Sequence, residues 1–263
     1  MRLSRKLIAG VGVALVALWP HAGAQNGKAK APAKKAAPAP ATPTPLAVPF
    51  RTGEQLNYRV SWGPADAATA QLTTVGQAQT YGHETWHFRA KASTIKAVRF
   101  LYPLDDQFDS YSDVYALASV LYDMRIREKS KTQDRVIRMN RLGEPPPPGG
   151  PSVRVPQGTR DPLGLLYALR VWDWEKAKET VFPLYDGSKL YEVRAKEVHT
   201  NGSVTVPAGP QRASRIELRI FDRGKEVTNA HFWVWLSMDR KRTPVLIEAE
   251  LPLGKLLVEL VSN

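Results

Sequence analysis

The chain has 263 residues, long enough for one sizeable core, and no cysteine, which excludes disulfides, thiolate metal sites and thiol chemistry. Hydrophobic residues at 43% and charged residues at 24% are ordinary globular values and exclude both a wholly disordered chain and a polytopic membrane protein. The formal charge of +12 points to nucleic acid only if it is concentrated in the folded part, and it is not.

Residues 1–24 read as a secretory signal peptide. Arg2, Arg5 and Lys6 precede an apolar run from Leu7 to Trp19, and Ala22-Gly23-Ala24 supplies small residues for cleavage. The run falls short of the roughly 20 residues that a membrane-crossing helix needs. Export to the periplasm or cell envelope is therefore expected, with the mature chain peripheral to a membrane at most. Residues 25–49 are mostly Ala, Pro and Lys and read as a disordered, semi-rigid linker with Lys28, Lys30, Lys34 and Lys35 unopposed by any acid. Seven of the 37 basic residues and none of the 25 acids precede Phe50, so the remaining 30 basic residues exceed the acids by five. That mild excess, spread along alternating segments, excludes nucleic acid as the expected partner.

Residues 50–263 read as a single β-rich domain. Leu56, Tyr58, Val60 and Trp62 alternate with polar residues, the period of a half-buried antiparallel strand. The period returns at Trp86, Phe88, Ala90 and Ala92, at Val120, Tyr122, Met124 and Ile126, and at Ile216, Leu218 and Ile220. It closes the chain at Val245–Leu251 and Leu256–Leu260. About ten to twelve strands are expected. Asp161-Pro162 starts a helix, the carboxylate capping free N–H groups and proline taking the first helical position. It is expected to run to about Glu175 and, with Leu163, Leu165, Leu166, Tyr167, Leu169, Val171, Trp172 and Trp174 almost all round it, to be enclosed. A strongly curved antiparallel sheet, a half-barrel or open barrel, with this helix in its concave face satisfies both patterns. A second short helix is expected near Ser93–Phe100, and the proline run Pro145–Pro148 reads as a surface loop between two lobes of one sheet system.

The segment Phe50-Arg51-Thr52-Gly53-Glu54-Gln55-Leu56-Asn57-Tyr58-Arg59-Val60-Ser61-Trp62-Gly63 resembles the opening of an exported bacterial family known as domain of unknown function 3108. The same resemblance takes in Asp161-Pro162-Leu163 leading to Leu166-Tyr167 and Leu169-Arg170, then Val206-Pro207-Ala208-Gly209, then Trp235-Leu236-Ser237 with Asp239 and Pro244. It implies an envelope protein rich in antiparallel strand and carries no catalytic residues to transfer. In layout the chain is also similar to half-barrel carriers that shelter acyl chains, a likeness of fold alone.

His83-Glu84-Thr85-Trp86-His87 fits the H-E-x-x-H pattern of zinc hydrolases, in which two histidines one helical turn apart bind the metal. The alternation from Trp86 onward places these residues on a strand, where positions four apart are separated by roughly 13 Å, too far to share one zinc. Asp105, Asp106, Asp109 and Asp113 form an acidic cluster without the glycine and closing glutamate of a calcium loop. His199 and His231 are read as structural. No nucleophile elbow or phosphate loop occurs, so no catalytic residue, metal or cofactor is assigned.

Trp172 and Trp174 on the helix, with Trp233 and Trp235 on a strand apolar on both faces, are the candidate ligand-binding residues. They suit a non-catalytic envelope protein binding a lipid-like ligand or an assembly partner in the curved sheet. The alternative is a structural interaction module that recognises protein or polysaccharide through its outer face, and the remote alternative is a zinc-dependent hydrolase using the H-E-x-x-H residues.

Overall fold

The computed structural model describes residues 44–129 and 131–263. The segment read as a signal peptide and most of the one read as a linker lie outside the described residues. Strands in chain order are β1 (Gln55–Trp62), β2 (Ala65–Thr80), β3 (His83–Thr94), β4 (Asp105–Asp113), β5 (Ser119–Glu128), β6 (Lys131–Arg141), β7 (Val153–Val155), β8 (Glu179–Tyr185), β9 (Leu190–Val206), β10 (Gly209–Asp222), β11 (Lys225–Glu226), β12 (His231–Ser237), β13 (Pro244–Leu251) and β14 (Gly254–Ser262). The helices are α1 (Lys96–Arg99) and α2 (Pro162–Val171).

Thirteen of these strands form one nearly closed, barrel-like sheet in the order β7-β6-β5-β4-β3-β2-β1-β14-β13-β12-β10-β9-β8, with β11 attached to β10. Every pairing is antiparallel except β6–β7. Two meanders, β1–β6 and β8–β14, join where the first strand pairs with the last, Val60 opposite Val258. The seam between the outer edges is bridged by one stretch of chain. Its β7 end lies on β6, while Arg160 donates its N–H to the Pro183 carbonyl (2.9 Å) and accepts from the Tyr185 N–H (2.8 Å) on β8. The β8–β9 turn also meets β5 and β6: a Cβ on Gly187 would stand 2.8 Å from Ile137 Cδ1 and 3.0 Å from Met124 Cε. Only a residue without a side chain permits that approach.

The inner face carries the core. Leu56, Tyr58 and Val60 of β1 are buried, as are Trp86, Phe88, Ala90 and Ala92 of β3, Tyr122, Met124 and Ile126 of β5, and Leu256, Val258 and Leu260 of β14. Nine residues of α2, Pro162 to Arg170, are buried against this face. At about 25 cal/mol per Å² of apolar area removed from water, a helix covered on all sides is held by burial and not by its own short ladder.

Four sequence expectations need correction. The described residues form 14 strands rather than ten to twelve, because β2 and β4 bury alanine, threonine, serine and aspartate in place of large apolar residues. The helix ends at Val171 and not near Glu175, since Trp172 takes ψ 134° and leaves the helical path. The short helix is confined to Lys96–Arg99, its expected first residues Ser93 and Thr94 extending β3 instead. Leu46 and Val48, assigned to the linker, dock on the domain: the Leu46 N–H donates to Val114 O (2.9 Å) and Val48 packs on the core.

An apolar cleft beside the helix as candidate functional site

Both ends of α2 are anchored by polar groups that the sheet supplies. At its N-terminus Asp161, fully buried, accepts from the hydroxyls of Ser110 (2.6 Å) and Ser119 (2.5 Å) and from the Gly164 N–H (2.8 Å). Its own N–H donates to Ser119 Oγ (2.8 Å). Burial raises the carboxyl above its ordinary range against the pull of these donors. Gly164 lies tight on the same cradle, since a Cβ there would stand 2.9 Å from both Ser112 Oγ and Ser119 Oγ.

At the C-terminal end, Arg170 is 1% exposed and donates to both carboxylate oxygens of Glu54, at 2.6 and 2.8 Å. The remaining donors reach Arg242 O (3.2 Å) and Lys241 O (3.0 Å), and the guanidinium lies 5.2 Å from the Phe50 ring centre and 5.3 Å from that of Tyr167. A fork-to-fork pair of this kind fixes orientation as well as charge. Nothing in the sequence marked the partner of Arg170, 116 residues away.

Beyond Arg170 the chain turns. Trp172 donates its indole N–H to Ala177 O (3.0 Å) and receives Arg242 on its carbonyl, while Trp174 folds back to donate to Leu169 O (2.9 Å). These bonds set the Trp172 ring as a wall. Beside it opens a cleft of about 470 Å³, lined by Leu46, Tyr115, Leu117, Val171, Trp172 and Phe182 together with Arg160, Lys176 and Asp173. Small-molecule sites span roughly 300–1,000 Å³ and pair apolar walls with few polar groups, as this one does.

Arg160 is the polar group set into the wall. Its Nη1 and Nη2 donate to Gly158 O and Ala116 O, each at 2.7 Å, and its guanidinium sits 4.6 Å from the Phe182 ring centre. Its Nε is buried without an acceptor. Burial lowers its pKa to about 10, so it stays cationic at neutral pH. Lys176 and Asp173 pair at the mouth (3.1 Å). The cleft therefore offers an apolar bed, one partly buried cation in its wall, and a wet rim.

The four candidate tryptophans do not share one site. Trp172 lines the cleft, whereas Trp174 is buried in the core behind it. Trp233 and Trp235 face outward on β12, because Phe232, Val234 and Leu236 take the inner face. Arg215 lies over both rings, 4.4 Å and 5.5 Å from their centres, and Trp235 donates to Glu248 (3.0 Å). His231 stacks near Trp233 and His199 near Trp235. The H-E-x-x-H residues sit on β3, with His83 and His87 at positions of one face and Glu84 at a position of the other. His87 pairs with Asp109 (2.5 Å) and stacks on Tyr111, and Glu84 accepts from the Tyr115 hydroxyl (3.0 Å). The four aspartates are likewise spent separately. Asp105 binds Arg99, Asp106 accepts from the Arg127 N–H, Asp109 takes His87, Arg89 and Gln107, and Asp113 caps the 115–118 turn and binds Arg141. The cleft itself was not legible in the sequence, since its walls come from five separated segments. Only Trp172, on a segment apolar all round, signalled it.

The model of a family described as protein of unknown function, DUF3108, matches residues 57–261. No curated protein matches the chain. Among solved structures, a β-barrel-like protein of domain of unknown function DUF1849 from Brucella abortus shares 10% identity, covers 82% of this chain and 98% of its own, and superposes with a TM-score of 0.50. A candidate lipoprotein from Parabacteroides distasonis shares 9% identity over 83% and 99% of the two chains (TM-score 0.40). A candidate exported protein with a YmcC-like fold from Bacteroides fragilis shares 12% over 83% and 98% (TM-score 0.38). At these identities the first likeness concerns the fold alone.

Proposed function

The chain belongs to the DUF3108 family, and from that premise we propose that it is a non-catalytic cell-envelope protein whose cleft holds the apolar chain of an anionic amphiphile, with Arg160 facing the head group. The observation that carries this reading is the apolar cleft of about 470 Å³ with the partly buried Arg160 guanidinium in its wall. A carboxylate or phosphate at the mouth would complement the Arg160 charge, and Arg recognises both through its planar donor fork. The envelope location rests on the signal-like segment Arg2–Ala24.

The test uses cis-parinaric acid, a fluorescent fatty acid, read by energy transfer from tryptophan. The full chain should bind it. Ala116→Trp, at an exposed position on the rim, should block binding without touching the core. Arg160→Gln should weaken the acid about fivefold or more and leave the corresponding alcohol unaffected. Absence of binding, or equal binding by Ala116→Trp, would refute the proposal.

A second reading has one observation in its favour: Trp233, Trp235 and His231 form an aromatic strip on the outer face. An interaction module would use that strip. Binding to isolated cell-wall polysaccharide that Trp233→Ala removes, with parinaric acid binding absent throughout, would favour it.

A further inference from the structure

The cleft occupies the end of the barrel marked by the 114–118 and 238–243 turns. The antiparallel registers put the β3–β4 connection, the β5–β6 turn and the β13–β14 turn at the opposite end. There the chain exposes large apolar side chains where a soluble rim carries polar ones. Phe100 is 92% exposed and Leu101 66%, both following α1, none of whose residues is buried, and Leu253 is 48% exposed on the β13–β14 turn. Lysines surround the Phe100–Leu101 tip. Lys129 Nζ donates to Leu101 O (2.9 Å), Lys96 lies on α1 and Lys131 opens β6. Of the neighbouring acids, Asp105 is paired with Arg99 and Asp106 is buried, while Glu128 accepts from the Tyr102 hydroxyl (3.0 Å) and lies opposite Lys131.

We infer that this end docks on an anionic lipid bilayer, Phe100 and Leu101 entering the interface while Lys96, Lys129 and Lys131 meet lipid phosphates. A convex tip of two side chains is too small for a stable protein interface, which buries roughly 1,200 Å² or more in total. A bilayer accepts any protruding shape, rewards apolar insertion, and attracts juxtaposed lysines at its anionic surface. Lys96, Lys129 and Lys131 outnumber the unpaired carboxylates beside them and supply the charge complementarity that selects this occupant over a neutral surface. The proposal is independent of what fills the cleft, since the two sites lie at opposite ends.

The absence of cysteine makes the test local. A single Leu101→Cys carrying the polarity-sensitive dye NBD reports the tip, and Arg240→Cys on the 238–243 turn reports the other end of the same full chain. Any tethering through residues 1–24 acts on both labels alike. With phosphatidylcholine vesicles containing phosphatidylglycerol, the label at 101 should brighten at least about threefold and shift to the blue, while the label at 240 stays unchanged. Phosphatidylcholine alone should give little response. Lys96→Gln with Lys129→Gln should weaken the response at 101 about tenfold or more, and Phe100→Ser should weaken it independently. These side chains are exposed, so near-ultraviolet circular dichroism should match the parent in every variant. No response at 101 with either vesicle, an equal response at 240, or unchanged affinity in the lysine pair would each overturn the inference. A response to envelope proteins but to neither vesicle would overturn it in favour of a protein partner.

Discussion

Glu54→Ala should destabilise the domain by about 3 kcal/mol, and Arg170→Met by clearly less. The asymmetry follows from where the two charges sit. Removing one member of a buried ion pair costs about 3–5 kcal/mol, because the other charge stays desolvated and unpaired. Arg170 cannot deprotonate and is 1% exposed, so losing Glu54 strands its charge between Phe50 and Tyr167. The carbonyls of Lys241 and Arg242 still accept from it, which places the cost at the low end of the range. In the reverse variant, Met keeps much of the arginine stem's packing. The orphaned Glu54 side chain is 12% exposed and can take up water, so about 1–2 kcal/mol is expected. For a domain of this size 1 kcal/mol moves Tm by about 2–4 °C, so Glu54→Ala should lower it by about 6–12 °C. The double variant should be more stable than Glu54→Ala alone, a coupling of about 2 kcal/mol measurable by a urea-denaturation cycle on tryptophan fluorescence. A Glu54→Ala chain within 1 kcal/mol of the parent, or an Arg170→Met cost exceeding it, would refute the assignment of this pair as the anchor of the helix end.

Asp106 gives a pH signature. Burial raises its pKa to about 6 against the N–H of Arg127, and its Oδ2 has no partner. Between about pH 4 and 6 the native state therefore holds more protons than the unfolded one, and its contribution to stability falls as pH rises through that window. The fall should be about 1–2 kcal/mol, less than the two-unit shift would give at full desolvation. Asp106→Asn should flatten this component when denaturation midpoints at pH 4, 5, 6 and 7 are compared with the parent, and identical profiles would show the assignment to be wrong. Gly164→Ala should destabilise by about 1–2 kcal/mol despite alanine's better helix propensity, because the methyl must displace Ser112 and Ser119 from their hydrogen-bonded places. A rise in melting temperature would count against that packing argument. The cleft and rim experiments stand beside these as tests of function.

Where a residue's role follows from its immediate neighbours along the chain, the sequence was readable. The alternation in β1, β3, β5, β10, β13 and β14 names their inner faces, and Asp161-Pro162 marks the start of an enclosed helix. The strand character of the H-E-x-x-H segment was legible for the same reason. β2 and β4 were obscured because their inner faces are largely small or polar residues: Ala68, Ala70 and Thr74 on one, Asp106, Ser110 and Ser112 on the other. Ser110 receives the helix cap, Asp161, which lies 51 residues further along.

By itself, then, the sequence determined the period of each strand, the start of the helix and its enclosure, because these are local consequences of side-chain order. The bridged seam, the pairing of Glu54 with Arg170, the end of the helix at Trp172, the cleft around Arg160 and the basic apolar rim were decided only by tertiary structure. Each of those depends on groups far apart in the chain meeting in space, and the pattern of hydrophobic and polar residues carries no record of which distant groups will meet.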